Sequence, residues 1–125
     1  MTEEIVLSSL GHTWILDLDG TIVKHNGYKI DGEDSFLQGA VDFLKSIPQG
    51  DMIIFITSRE EKYREQTLSF LKDNHIRYDE LILGAPYGER ILINDKKPSG
   101  LEMAISINME RNQGNYSKIR LDEEK

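Results

Sequence analysis

Five consecutive apolar residues, Met52-Ile53-Ile54-Phe55-Ile56, constrain this chain more than any other stretch. The run is far too short to cross a bilayer and shows no polar alternation, so it reads as a strand covered on both faces. Trp14-Ile15-Leu16 with Leu18, Leu81-Ile82-Leu83 and Ile91-Leu92-Ile93 are runs of the same kind, each with a glycine close by. Helical spacing lies between them. Val41, Leu44 and Ile47 follow Gly39 and stop at Pro48 and Gly50, and Tyr63, Thr67, Phe70 and Leu71 mark the buried face of a longer helix from about Glu60 to Asn74. Ser58-Arg59-Glu60-Glu61 has the capping-box pattern at its start. Strands alternating with helices predict right-handed crossovers and a three-layer α/β/α, Rossmann-like domain with a mostly parallel central sheet.

With 125 residues the chain is expected to form a single domain, 1–125, with its core over about 12–109. Met103, Ile105, Ile107 and Met109 alternate with polar or small residues and predict an edge strand, and residues 110–125 read as a polar tail. A formal net charge of -7 disfavours a broad nucleic-acid or membrane-binding face. There is no cysteine, hence no disulfide framework or thiolate metal site. With acidic Glu3 and Glu4 near its start and no apolar segment of signal-peptide length, the chain is expected to be cytoplasmic.

Chemistry is to be sought at the carboxyl ends of the strands, where parallel sheets bind ligands. Asp17 and Asp19 end the first of these strands, one residue apart, and are followed at once by Gly20-Thr21. On extended backbone their side chains point the same way, and two such carboxylates repel unless a cation or shared proton compensates. Asp-Gly-Thr is also good turn chemistry, so this stretch alone does not decide. The run ending in Ile56 delivers Thr57-Ser58-Arg59 to the same edge, just before a helix start suited to an anion, and the run ending in Ile93 delivers Asn94-Asp95-Lys96-Lys97. Capping accounts for Ser58; Thr57 has less structural excuse.

These residues resemble the haloacid dehalogenase-like superfamily of phosphohydrolases. Asp17-Leu18-Asp19-Gly20-Thr21 is similar to its first motif, Thr57 to the hydroxyl of its second, and Asp95 to the acid of its fourth, over roughly Trp14 to Ser99. The resemblance implies a phosphatase in which Asp17 attacks phosphorus and forms an aspartyl-phosphate, while Asp19 protonates the leaving oxygen and then activates water. It implies Mg²⁺ held by Asp17, Asp19 through its backbone carbonyl, and Asp95, with Thr57 bonding a phosphoryl oxygen and Gly20, Thr21, Ser58 and Arg59 binding substrate.

The chain departs from that pattern twice. The family's lysine, often in a Gly-Lys-Pro after the third strand, is absent, because the text here is Gly84-Ala85-Pro86. Arg90 opens the next expected strand and would lie at the wrong edge of the sheet, so Lys97 is the favoured replacement, with solvated loop lysines as the alternative. No cap domain fits between the motifs; only a flap with His25 and Tyr28 and one helix lie there. An open site calls for a large substrate or a neighbouring subunit in a homo-oligomer. The leading expectation is a sugar phosphate as substrate. The alternatives are a nucleotide or polynucleotide-end phosphatase, disfavoured by net charge, and a non-catalytic phosphate-binding or interaction module on the same fold; a dehalogenase is the weaker enzymatic rival.

Overall fold

The computed structural model describes residues 4–125. Its elements run β1 (Ile5–Leu7), β2 (Thr13–Asp17), α1 (Gly27–Ile30), α2 (Ala40–Ser46), β3 (Met52–Ile56), a single 3-10 turn (Glu61–Tyr63), α3 (Arg64–Asp73), β4 (Glu80–Ile82) and β5 (Ile119–Leu121). The main sheet has the order β2-β3-β4, all parallel, with Thr13 beside Met52, Asp17 beside Ile56 and Ile56 beside Ile82. The chain is thus an α/β domain with a parallel sheet, as the alternation of runs predicts, and among the described residues nothing the size of a cap is inserted.

The register puts Trp14, Leu16, Ile53, Phe55 and Leu81 on one face of this sheet, where they pack in one cluster with Ala40 and Leu44 of α2 and Leu71 of α3. Phe55 and Leu71 are fully buried, and burying side chains of this size contributes about 2 kcal/mol each. On the other face Ile15, Met52 and Ile82 are about half exposed. Pro48 follows directly on the helix-ending Ile47, whose backbone is already extended, so α2 stops where the sequence says. The long helix keeps the predicted buried face, with Thr67 and Leu71 inside, but its start differs from the capping-box reading: no side chain caps it, and Ser58 Oγ instead donates to Pro86 O at 3.2 Å.

Three expected features are corrected. Ile91-Leu92-Ile93 forms no strand and is exposed, Ile91 by 82%. Parallel strands need a connection of about a dozen residues or more, and fewer lie between Ile82 and Ile91. The chain is also led elsewhere: Gly84 N–H donates to Arg59 O at 2.7 Å and Ala85 N–H to Thr57 O at 3.1 Å, fastening the segment across the end of β3. Without that strand Met103–Met109 has no edge to join, and it too is irregular.

The third correction concerns residues 110–125, which are not a loose tail. Ile119–Leu121 pairs in parallel with Ile5–Leu7, and the Tyr116 ring stacks on Phe43 with centroids 4.9 Å apart.

The amino end of the sheet is closed by Asp51, only 6% exposed. It accepts from His12 N–H at 3.1 Å, His12 Nδ1 at 2.8 Å and Trp14 Nε1–H at 2.9 Å. Burial alone would raise its pKa, but the hydrogen bonds from Trp14 and His12 outweigh it and hold the carboxyl below its ordinary 3.8. A folded-state pKa depressed in this way gives stability that is present above the unfolded pKa and lost as pH falls through the folded one. Thermal unfolding followed from about pH 6 down to pH 3 should therefore show a loss of stability on acidification that Asp51→Asn diminishes, the variant itself costing about 1–3 kcal/mol at neutral pH.

Candidate active site

Asp17 is the last residue of β2, and the chain then coils tightly: Thr21, Ile22 and Val23 all donate backbone N–H to Leu18 O, at 3.2, 2.9 and 3.1 Å. The coil returns the Thr21 hydroxyl to Asp17, Oγ1 donating to Oδ2 at 3.0 Å. The other carboxylate oxygen, Oδ1, accepts from Arg90 Nη1 at 3.3 Å. About a third of the Asp17 side chain remains exposed, so its carboxylate is open to a ligand.

Asp19 faces a different partner. Arg59 grips it with two bonds, Nε to Oδ2 at 3.0 Å and Nη2 to Oδ1 at 3.0 Å, and the Thr57 hydroxyl lies 3.4 Å from Oδ2. The same guanidinium grips Asp34, Nη1 to Oδ2 at 2.9 Å and Nη2 to Oδ1 at 2.6 Å, and Nη1 also donates to Thr67 Oγ1 at 3.0 Å. All five N–H donors of the fork are therefore committed. Tyr28 closes the stack, its ring centre 4.0 Å from the guanidinium carbon and its ring edge-to-face with Tyr63 at 4.8 Å.

Arg59 is 3% exposed, a burial a charge tolerates only when paired. Burial pulls its pKa down, but the hydrogen bonds and charges of Asp34 and Asp19 more than offset that and raise it well above the arginine norm. The Tyr28 hydroxyl is pushed up by burial and by the charge of Asp19.

These contacts revise several expected roles. Arg59 has no donor left for a substrate, and it positions Asp19. Tyr28 of the flap is buried against Arg59 and is turned away from solvent. Thr57 is 1% exposed, accepting from Arg59 N–H at 3.1 Å and turned toward Asp19. Lys97 is exposed, and among the described residues its side chain makes no hydrogen bond or ion pair. The cation at Asp17 is Arg90, which the connection fastened at Gly84 and Ala85 brings back to it, its Nη2 3.5 Å from Ser58 Oγ. Because no strand starts at Arg90, the distance that would have separated it from the site does not arise.

The expected Mg²⁺ set is not assembled. Asp95 is exposed, its carboxylate accepting from Asn94 Nδ2 at 3.3 Å, and among the described residues no group of three His, Cys, Asp or Glu comes together. With Asp17 Oδ1 on Arg90 and no cluster joining Asp17, Asp19 and Asp95, the donors do not fit a Mg²⁺ held by Asp17 and Asp95.

The sequence alone does not distinguish Asp34. Its setting, Asp31-Gly32-Glu33-Asp34, reads as a solvated acidic turn, and only Arg59, 25 residues on, gives it a role.

Comparison with protein-family models and with curated proteins finds no match. Solved structures do match. A chain of the Pnkp1/Rnl/Hen1 complex shares 32% identity over 66% of this chain and 31% of that chain, with a TM-score of 0.51. A second, from the Pnkp1/Rnl/Hen1 RNA repair complex, shares 32% identity over 71% of this chain and 30% of that chain, with a TM-score of 0.52. The present chain spans just under a third of the length of each. No helix of the described residues is long and apolar enough to cross a membrane.

Proposed function

We propose that this chain is a phosphohydrolase of the haloacid dehalogenase-like type that removes a terminal phosphate from a polynucleotide end. The observation that carries the chemistry is the environment of Asp17: an open carboxylate at a strand end, oriented by Thr21 on one oxygen and faced by the Arg90 guanidinium on the other. The likeness to chains of an RNA repair complex supports a polynucleotide substrate over the sugar phosphate, for which the comparisons offer nothing.

In this reading an Asp17 oxygen attacks the terminal phosphorus, the phosphorus–oxygen ester bond breaks, and the departing alkoxide oxygen takes a proton from the Asp19 carboxyl and leaves as the hydroxyl of the polynucleotide end. Water then attacks the aspartyl-phosphate, Asp19 takes its proton, and inorganic phosphate leaves. Arg90 supplies the charge that stabilises the phosphoryl oxygens, with the Ser58 hydroxyl beside it. Arg59 holds Asp19 in place through both of its oxygens.

Phosphate release from an oligoribonucleotide bearing a terminal phosphate, against a sugar phosphate, tests the proposal. Preference for the oligonucleotide supports it, and turnover of the sugar phosphate alone contradicts it. Arg90→Ala should lower kcat/KM about 10²–10³-fold, the usual cost of one transition-state donor, while Lys97→Ala should change it less than about twofold. The reverse ranking would return the cationic role to Lys97.

A further inference from the structure

The segment after Met109 is fastened to the nucleophile loop. Asn112 donates its backbone N–H to Gly20 O at 2.8 Å, accepts His25 N–H on Oδ1 at 2.9 Å, and holds a left-handed φ of 64°. The Tyr116 hydroxyl donates to Thr21 O at 2.7 Å, and burial pushes its pKa up to about 12, so it remains a donor. At Gly114 a Cβ would stand 2.5 Å from Gln38 O, so only glycine permits so close an approach to the backbone just before α2.

These ties lay Arg111 across the loop. A Cβ on Gly20 would sit 3.0 Å from Arg111 Cγ and 3.7 Å from its Nε, so the arginine stem passes directly over the residue that follows Asp19. Arg111 is exposed, and among the described residues its guanidinium makes no ion pair. An exposed arginine is ordinary. Less ordinary, in a chain of net charge -7, is one whose stem crosses Gly20 and whose neighbour Asn112 is bonded to the nucleophile loop.

Two arginines from separate segments thus border the loop. Arg90 is engaged with Asp17, and a phosphomonoester at Asp17 would occupy it. Arg111 has its planar fork free, suited to a second phosphate. We propose that Arg111 is a specificity-determining residue that binds the phosphodiester next to the terminal phosphate of a single-stranded polynucleotide. This rests on the polynucleotide-end reading of the same site, and it gives a chain of acidic balance a local cation for a second phosphate.

The test is binding, measured by fluorescence anisotropy in an Asp17→Asn background so that turnover plays no part. The probes are a labelled short oligoribonucleotide with a terminal phosphate and the corresponding mononucleotide. Adding Arg111→Ala should lower the affinity ratio of oligonucleotide to mononucleotide about tenfold, and should reduce the slope of log affinity against log salt by about 0.7, the value for one contact to a single strand. Arg111→Lys should keep the slope and lose part of the affinity. An unchanged ratio and slope, or no oligonucleotide binding at low salt, overturns the proposal. Failure of the phosphatase reading appears separately, as tight oligonucleotide binding by a wild-type chain that releases no phosphate.

Discussion

Asp17→Asn should abolish phosphate release, by about 10⁴-fold or more, and leave the fold intact. An amide oxygen can still accept the Thr21 hydroxyl, so the loop keeps its shape. The ion pair to Arg90 is lost, but both side chains are about a third exposed, and pairs in such solvent contact are worth at most about 1 kcal/mol. Activity and stability therefore separate at this position. The assay compares steady-state phosphate release with thermal unfolding of the same preparations; a melting temperature that falls in step with activity would mean that Asp17 serves the fold, not the reaction.

Arg59→Ala should have the opposite profile, damaging both. The substitution removes the cation that bridges Asp19 and Asp34, whose side chains are 14% and 2% exposed, and leaves two carboxylates facing each other across the gap. Breaking a buried pair by deleting one partner costs about 3–5 kcal/mol, which for a domain of this size lowers the melting temperature by about 10–20 °C. Lysine should recover little, because a point charge cannot make the two bidentate grips that the planar fork makes at once. Asp34→Asn refines the assignment: it leaves Asp19 its full grip, so activity measured below the melting transition should survive better than in Arg59→Ala. Equal loss of activity in the two variants would mean that Asp34 acts on the chemistry directly.

The contrast between these residues shows what the sequence reveals about this molecule. Strands β2 and β3 and the buried faces of α2 and α3 were legible because apolar runs and helical spacing are local signals, and the sheet direction follows from their alternation. Asp17, Asp19, Thr57 and Arg59 lie together where β2 and β3 end, because the same local signals fix those ends. Their roles were not all legible. Arg59 looks like a surface cation until Asp34 and Tyr28 close over it, and neither contact leaves a mark in nearby residues. The place of Arg90 is not legible because Ile91-Leu92-Ile93 has strand composition but too short a return path from β4 to form one. The segment from 110 to 125 reads as polar because its few apolar residues, Tyr116, Ile119 and Leu121, find their partners across nearly the whole chain, at Phe43 and Ile5–Leu7.

The central claim, that Asp17 takes up the terminal phosphoryl group of a polynucleotide, is tested most directly by label transfer. An oligoribonucleotide carrying a radiolabelled terminal phosphate is mixed with the wild-type chain in Mg²⁺-containing buffer, so that the result does not hinge on how a cation is held, and quenched in acid within one turnover. The account predicts label on the protein in the wild type and none in Asp17→Asn, with inorganic phosphate appearing as the label leaves. Label retained by Asp17→Asn, or phosphate released by the wild type with no labelled protein at any time, would contradict it.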